Sequence, residues 1–155
     1  MKQQSTRAGM HRLVSKVLIA IIACAALASC SSVKQNMTNM VRGPGAVEFV
    51  SPRDGDTIAG PVMLKFGVKG MDVKPAGEDI ENKRAGHHHV LVNQAPIKAG
   101  EAVPFTDQHI HFGKGQTEAE LKLPPGRYRL TLQFANGAHV SYGESLSQTI
   151  NIVVR

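Results

Sequence analysis

Beyond residue 45 the chain alternates apolar and polar side chains with period two, and that stretch holds no long 3.6-residue period. Val62, Leu64, Phe66 and Val68 alternate with Met63, Lys65, Gly67 and Lys69. Ala119, Leu121 and Leu123 alternate with Glu118, Glu120 and Lys122, and Tyr128, Leu130, Leu132 and Phe134 with Arg127, Arg129, Thr131 and Gln133. Ile150, Ile152 and Val154 repeat the pattern near the end. Period two puts each set on one face of an extended segment. Each run therefore predicts a strand with one apolar and one wet face, as antiparallel sheets have. Shorter strands are expected over 46–50 and 88–93. Turn residues separate the runs: Pro52-Arg53-Asp54-Gly55, Pro124-Pro125-Gly126 and Asn136-Gly137. Six to eight short strands in about 110 residues predict an all-β fold, an antiparallel β-sandwich over residues 46–155.

The first 45 residues read differently. Lys2, Arg7, Arg12 and Lys16 precede an apolar run from Val17 to Leu27, with no acidic residue among them. A basic start, a short apolar core and small residues before a cut site make an export signal, expected here over residues 1–29. The run is too short to span a bilayer, which takes about 20 residues. Leu27-Ala28-Ser29-Cys30 resembles the bacterial lipobox. That resemblance implies lipidation of Cys30 and a membrane anchor, and Ser31 after the Cys implies sorting to the outer membrane, facing the periplasm. Residues 30–45 would form a flexible tether, polar and closing on Gly-Pro-Gly.

Charge and cysteine content change meaning once this division is made. The whole chain carries a formal +6, from 18 basic and 12 acidic residues, which alone would invite a nucleic-acid partner. Four of the basic residues lie in the signal, leaving 14 against 12, or +2, and the nucleic-acid reading lapses. Of two Cys, one falls in the signal and the other is the expected anchor. The domain then has no disulfide and no thiolate ligand, so a blue-copper site is excluded.

Six of the seven histidines lie in the domain, as His87-His88-His89, His109-x-His111 and His139. On a strand, residues i and i+2 face the same way about 6.6 Å apart. Two such imidazoles can close on one ion at about 2.0–2.1 Å per bond, and a second His-x-His from a neighbouring strand would complete four nitrogens. The candidate ligands are His87, His89, His109 and His111, with His88, His139 and Asp107 secondary and copper or zinc the expected metal. If Val90 and Val92 face the core, His88 faces it too, while His87 and His89 face out. Met37, Met63 and Met71 could serve a soft copper(I) site, although core or loop positions suit them better. Gly113-Lys114-Gly115-Gln116-Thr117 lacks the spacing of a phosphate loop and no helical pattern follows. It reads as a glycine-rich turn, where Lys114 could contact an anion. No catalytic constellation is evident, so the expected role is non-catalytic capture or delivery of metal. The alternative is a metal-independent envelope module binding protein or a cell-wall component, its histidines bonded to backbone and water.

Three resemblances accompany this reading. Leu123-Pro124-Pro125-Gly126-Arg127-Tyr128 resembles the turn into strand F of immunoglobulin-like domains, which gives Tyr128 the tyrosine-corner role. Ser51-Pro52-Arg53-Asp54-Gly55-Asp56-Thr57-Ile58 resembles the first turn of bacterial immunoglobulin-like modules, periplasmic copper carriers among them. The expected sandwich is thus immunoglobulin-like. Gly86-His87-His88-His89, His111-Phe112-Gly113-Lys114-Gly115-Gln116-Thr117 and Leu130-Thr131-Leu132-Gln133-Phe134 are the most specific stretches of a wider likeness. Over residues 47–155 the chain resembles a family of small bacterial exported domains of unknown function, and that likeness implies no activity.

Overall fold

The computed structural model describes residues 45–155. The expected signal, Cys30, Met37 and all but the last residue of the tether lie outside them. Among the described residues no helix is long and apolar enough to cross a membrane.

The alternating runs become strands with the expected faces. In β3 (Val62–Lys69), Val62, Leu64 and Phe66 are buried while Met63 and Lys65 are exposed. β1 (Ala46–Ser51) buries Val47 and Phe49, and β7 (Glu118–Leu121) turns Ala119 and Leu121 inward. These three form one sheet in the order β1-β3-β7, antiparallel throughout. The second sheet runs β2-β9-β8-β5-β4, with β2 (Thr57–Ile58), β4 (Asp72–Val73), β5 (Ala85–Val92), β8 (Gly126–Ala135) and β9 (Ser147–Val154). β6 (His109–His111) also pairs with β5. The long pairings are antiparallel, while the two-residue strands β2 and β4 run parallel to β9 and β5.

This is the all-β sandwich that the alternation predicts, with the immunoglobulin-like arrangement that the two turn resemblances imply. β1, β3 and β7 take the places of strands A, B and E, facing β5, β8 and β9 in the places of C, F and G. The tyrosine corner is formed too: Tyr128 Oη donates to the Pro124 carbonyl at 2.8 Å. Tyr128→Phe is expected to cost about 1 kcal/mol and to lower Tm by about 4 °C. Thermal denaturation checks this, and an unchanged Tm would show that the bond adds nothing.

The main core lies between the sheets, built by Phe49, Leu64, Phe66, Val90, Leu130, Leu132, Phe134, Ile150 and Ile152. The outer face of the second sheet departs from the expectation of a wet surface. All eight residues of β5 are buried, including His87 and His89, expected to face out. They do lie on the face opposite Val90, but residues 93–108 and 136–143 fold over that face. Leu91, Val103 and Ala135, with Ile97, make a second small core there. The covering segments are held by polar groups that the strand pattern presents as a wet face. Thr131 Oγ1 donates to the Gln94 carbonyl at 3.0 Å, and the Ile97 N–H donates to Gln133 Oε1 at 3.1 Å. Gln133 Nε2 donates to the Gly143 carbonyl at 3.0 Å and approaches the Leu146 carbonyl at 3.3 Å. Alternation cannot separate a polar row that meets water from one that meets backbone.

Candidate metal centre

The site begins on the most enclosed strand of the fold. His87 and His89, two residues apart on β5, share its outer face and are 0% and 1% exposed. Their Nε2 atoms are 3.0 Å apart. The antiparallel register of β6 sets His111 opposite His89 and His109 opposite Leu91. The His111 ring lies 5.1 Å from that of His89 and 5.0 Å from that of His87. Gly113 leaves room for it, since a Cβ there would overlap the imidazole.

His139 comes from the turn after β8. Asn136 Oδ1 accepts the N–H groups of Ala138 and Val140 at 3.0 and 2.9 Å, folding the chain back on itself. His139 sits in this turn at φ 63, a left-handed conformation uncommon outside glycine. Its Nε2 lies 3.1 Å from His111 Nε2, and its ring lies 4.8 Å from those of His87 and His111 and 5.8 Å from that of His89.

Four imidazoles thus gather in one cluster, with every pair of ring centroids between 4.8 and 5.8 Å apart, and His139 joins the other three through its Nε2 contact with His111. An ion bound at about 2.05 Å stands about 3.2 Å from each ring centre, so four rings arranged tetrahedrally are about 5.2 Å apart. Two nitrogens on one such ion are about 2.9 Å apart at a right angle and about 3.3 Å at a tetrahedral one. The contacts of 3.0 and 3.1 Å fall between these values. Ligand nitrogens of His87, His89 and His111 all lie within 4.8 Å of one another.

A protein family described as a domain of unknown function, DUF4399, matches residues 64–155. The chain belongs to this family. No curated protein and no solved structure matches it. The matched span of the DUF4399 domain contains all four converging histidines and both covering segments.

Electrostatics favour the neutral form of His87, His89 and His111, the form a metal takes. Burial holds His87 and His89 well below the ordinary 6.5, and the neighbouring imidazoles push the same way. Burial lowers His109 and His111 as well, with His139 adding to the effect on His111. The Nδ1 atoms of His87 and His89 are buried without a hydrogen-bond partner. The four-histidine cluster includes no carboxylate and no thiolate.

The other candidates stand elsewhere in the DUF4399 domain. His109 shares the face of His111 but sits two residues further along β5, with Nδ1 2.7 Å from Thr106 Oγ1. Asp107 is exposed in the turn that precedes β6, so the Asp-x-His-x-His row is not one strand. Lys114 is exposed in the turn after Phe112, its backbone N–H given to Gln116 Oε1 at 2.8 Å. Met63 is exposed on β3 in the other sheet, and Met71 belongs to the main core. The signal that marks His139 is the Asn136-Gly137 turn, which reverses the chain onto the edge of β8 that pairs with His87.

His88 points into the main core, its ring 4.9 Å from those of Phe66 and Phe134 and neither nitrogen partnered. Burial pushes it down from 6.5 to about 4. The unfolded chain protonates His88 near 6.5, whereas the folded chain resists until about 4. Its stabilising effect is therefore complete above 6.5 and is lost as pH falls toward 4, by about 3 kcal/mol. His87 and His89 act in the same direction. Urea midpoints measured with a chelator present are expected to fall steadily across this window, and a flat profile would contradict it.

Proposed function

We propose that the domain is a metal-binding module that holds copper or zinc through His87, His89, His111 and His139, for capture or delivery rather than catalysis. The observation that carries this reading is the grouping of the ligand nitrogens of His87, His89 and His111 within 4.8 Å of one another, with the His139 ring packed against all three. Imidazole suits both metals, and the absence of thiolate ligands leaves no blue-copper alternative. Four protein ligands fill a tetrahedral ion, which suits holding it, whereas a catalytic ion keeps a position open for water. Because the ligands must be neutral, acid empties the site, and burial of His87 and His89 moves that loss below the ordinary imidazole range.

The setting we propose is the bacterial envelope, with the chain lipid-anchored at Cys30 in the outer membrane and the domain facing the periplasm on its tether. The basic signal and the Leu27-Ala28-Ser29-Cys30 sequence support it. Metabolic labelling with a fatty acid, lost in Cys30→Ala, tests the anchor.

Elemental analysis and calorimetric titration of the untagged protein test the metal. One Cu(II) or Zn(II) per chain at about pH 7.5 is expected. Failure to bind either ion would remove the reading and leave the metal-independent envelope interaction module.

A further inference from the structure

Phe105 is the most exposed large apolar side chain among the described residues, at 73%, and its place is not accidental. Its ring stands 5.1 Å from His139 and 6.0 Å from His111, edge-on to the latter at 82°. Both chain neighbours of the short Pro104-Phe105 bridge are fixed. Before it, the buried Val103 donates its N–H to the His139 carbonyl at 2.9 Å. After it, Thr106 Oγ1 meets His109 Nδ1 at 2.7 Å, and the His109 N–H donates to the Thr106 carbonyl at 3.0 Å. The two anchors hold an aromatic ring against two imidazoles, in water, where burial gives it little stabilisation.

The burial of the four histidines is lopsided. His87 and His89 are sealed beneath the covering segments, while His139 is half-buried and His111 exposed. An ion among them could meet solvent or an incoming ligand only on the side of His111 and His139, and Phe105 stands on that side. Exchange of a bound ion needs water, a chelator or a proton to reach a ligand nitrogen. An edge-to-face aromatic also holds its neighbour's ring orientation.

We propose that Phe105 is the cap of the metal centre, a positioning residue that sets how fast the ion enters and leaves rather than how tightly it is held. This rests on the metal-binding reading above. Phe105 contributes no ligand atom, so its loss should speed both directions alike.

The test uses the untagged protein loaded with Zn(II) or Cu(II). Stopped-flow mixing with excess chelator gives release, mixing the metal-free protein with the ion gives uptake, and calorimetry gives Kd. Phe105→Ala is expected to raise both rates about tenfold and to leave Kd within about twofold. Phe105→Tyr is expected to restore slow exchange and Phe105→Leu to fall between. Unchanged rates in Phe105→Ala and Phe105→Leu would overturn the cap while leaving the metal site standing. Faster release with unchanged uptake would also overturn it, since Phe105 would then stabilise the bound state. If the native chain binds no ion in the same calorimeter, the site itself fails and the cap falls with it.

Discussion

Replacing both His87 and His89 by alanine is expected to abolish Cu(II) and Zn(II) binding at about pH 7.5, while His109→Ala keeps native affinity within about twofold. The contrast follows from register. Pairing of β5 with β6 sets His111 against His89, and leaves His109 beside Leu91 with its Nδ1 already at Thr106. Removing His87 and His89 takes away half of the imidazoles and the two that solvent cannot replace, because both are buried. His139→Ala should weaken binding without ending it, since His87, His89 and His111 remain grouped. Binding is also legible as stability. An ion at about a hundred times its Kd adds about 2.7 kcal/mol, or about 10 °C in Tm for a domain near 110 residues. Differential scanning calorimetry with and without metal should show that rise in the native chain and in His109→Ala. It should be absent in the double variant. An equal rise in all three would place the ion elsewhere.

Gln133→Leu is expected to be the most damaging single change on the outer face of the second sheet. Its amide accepts from the Ile97 N–H and donates to the carbonyls of Gly143 and Leu146, so one side chain ties both covering segments to β8. Leucine has a similar volume but satisfies none of them. Each buried backbone group left without a partner costs about 1–3 kcal/mol, so a loss of about 3 kcal/mol or more is expected, lowering Tm by about 12 °C. The damage should be local first, because the Ile97 and Gly143 groups it frees lie in the covering segments rather than in the paired strands. Hydrogen exchange is expected to rise over residues 94–103 and 139–146 before β8 and β9 lose protection. Uniform loss of protection would show that the cover and the sandwich unfold as one unit.

Most of the sandwich could be read directly. The inner faces of β3, β8 and β9 follow from Leu64, Phe66, Leu130, Leu132, Ile150 and Ile152, because a slip of one residue would put each of these in water. The side of the sheet that His87 and His89 take follows from the same parity, as does the inward turn of His88. Their burial did not follow. Thr131 and Gln133 carry the signature of a wet face, and only the backbone of residues 93–108 and 136–143, folded over it, makes that face dry.

The amino-acid sequence alone determines that the chain is β, which residues line the inner core, and that two His-x-His pairs and a Tyr128 corner belong to it. The export and anchoring proposed above rest on the sequence alone. The tertiary structure alone decides which histidines meet. Val92 N–H donates to the Gln108 carbonyl and Phe112 N–H to the His88 carbonyl, and these long-range bonds frame the register that brings His111, not His109, to His89. His139 arrives from a turn 28 residues beyond His111. Period two assigns a side chain to a face, but a face is shared by every strand of a sheet. Only hydrogen bonding between distant segments fixes which residues on it become neighbours.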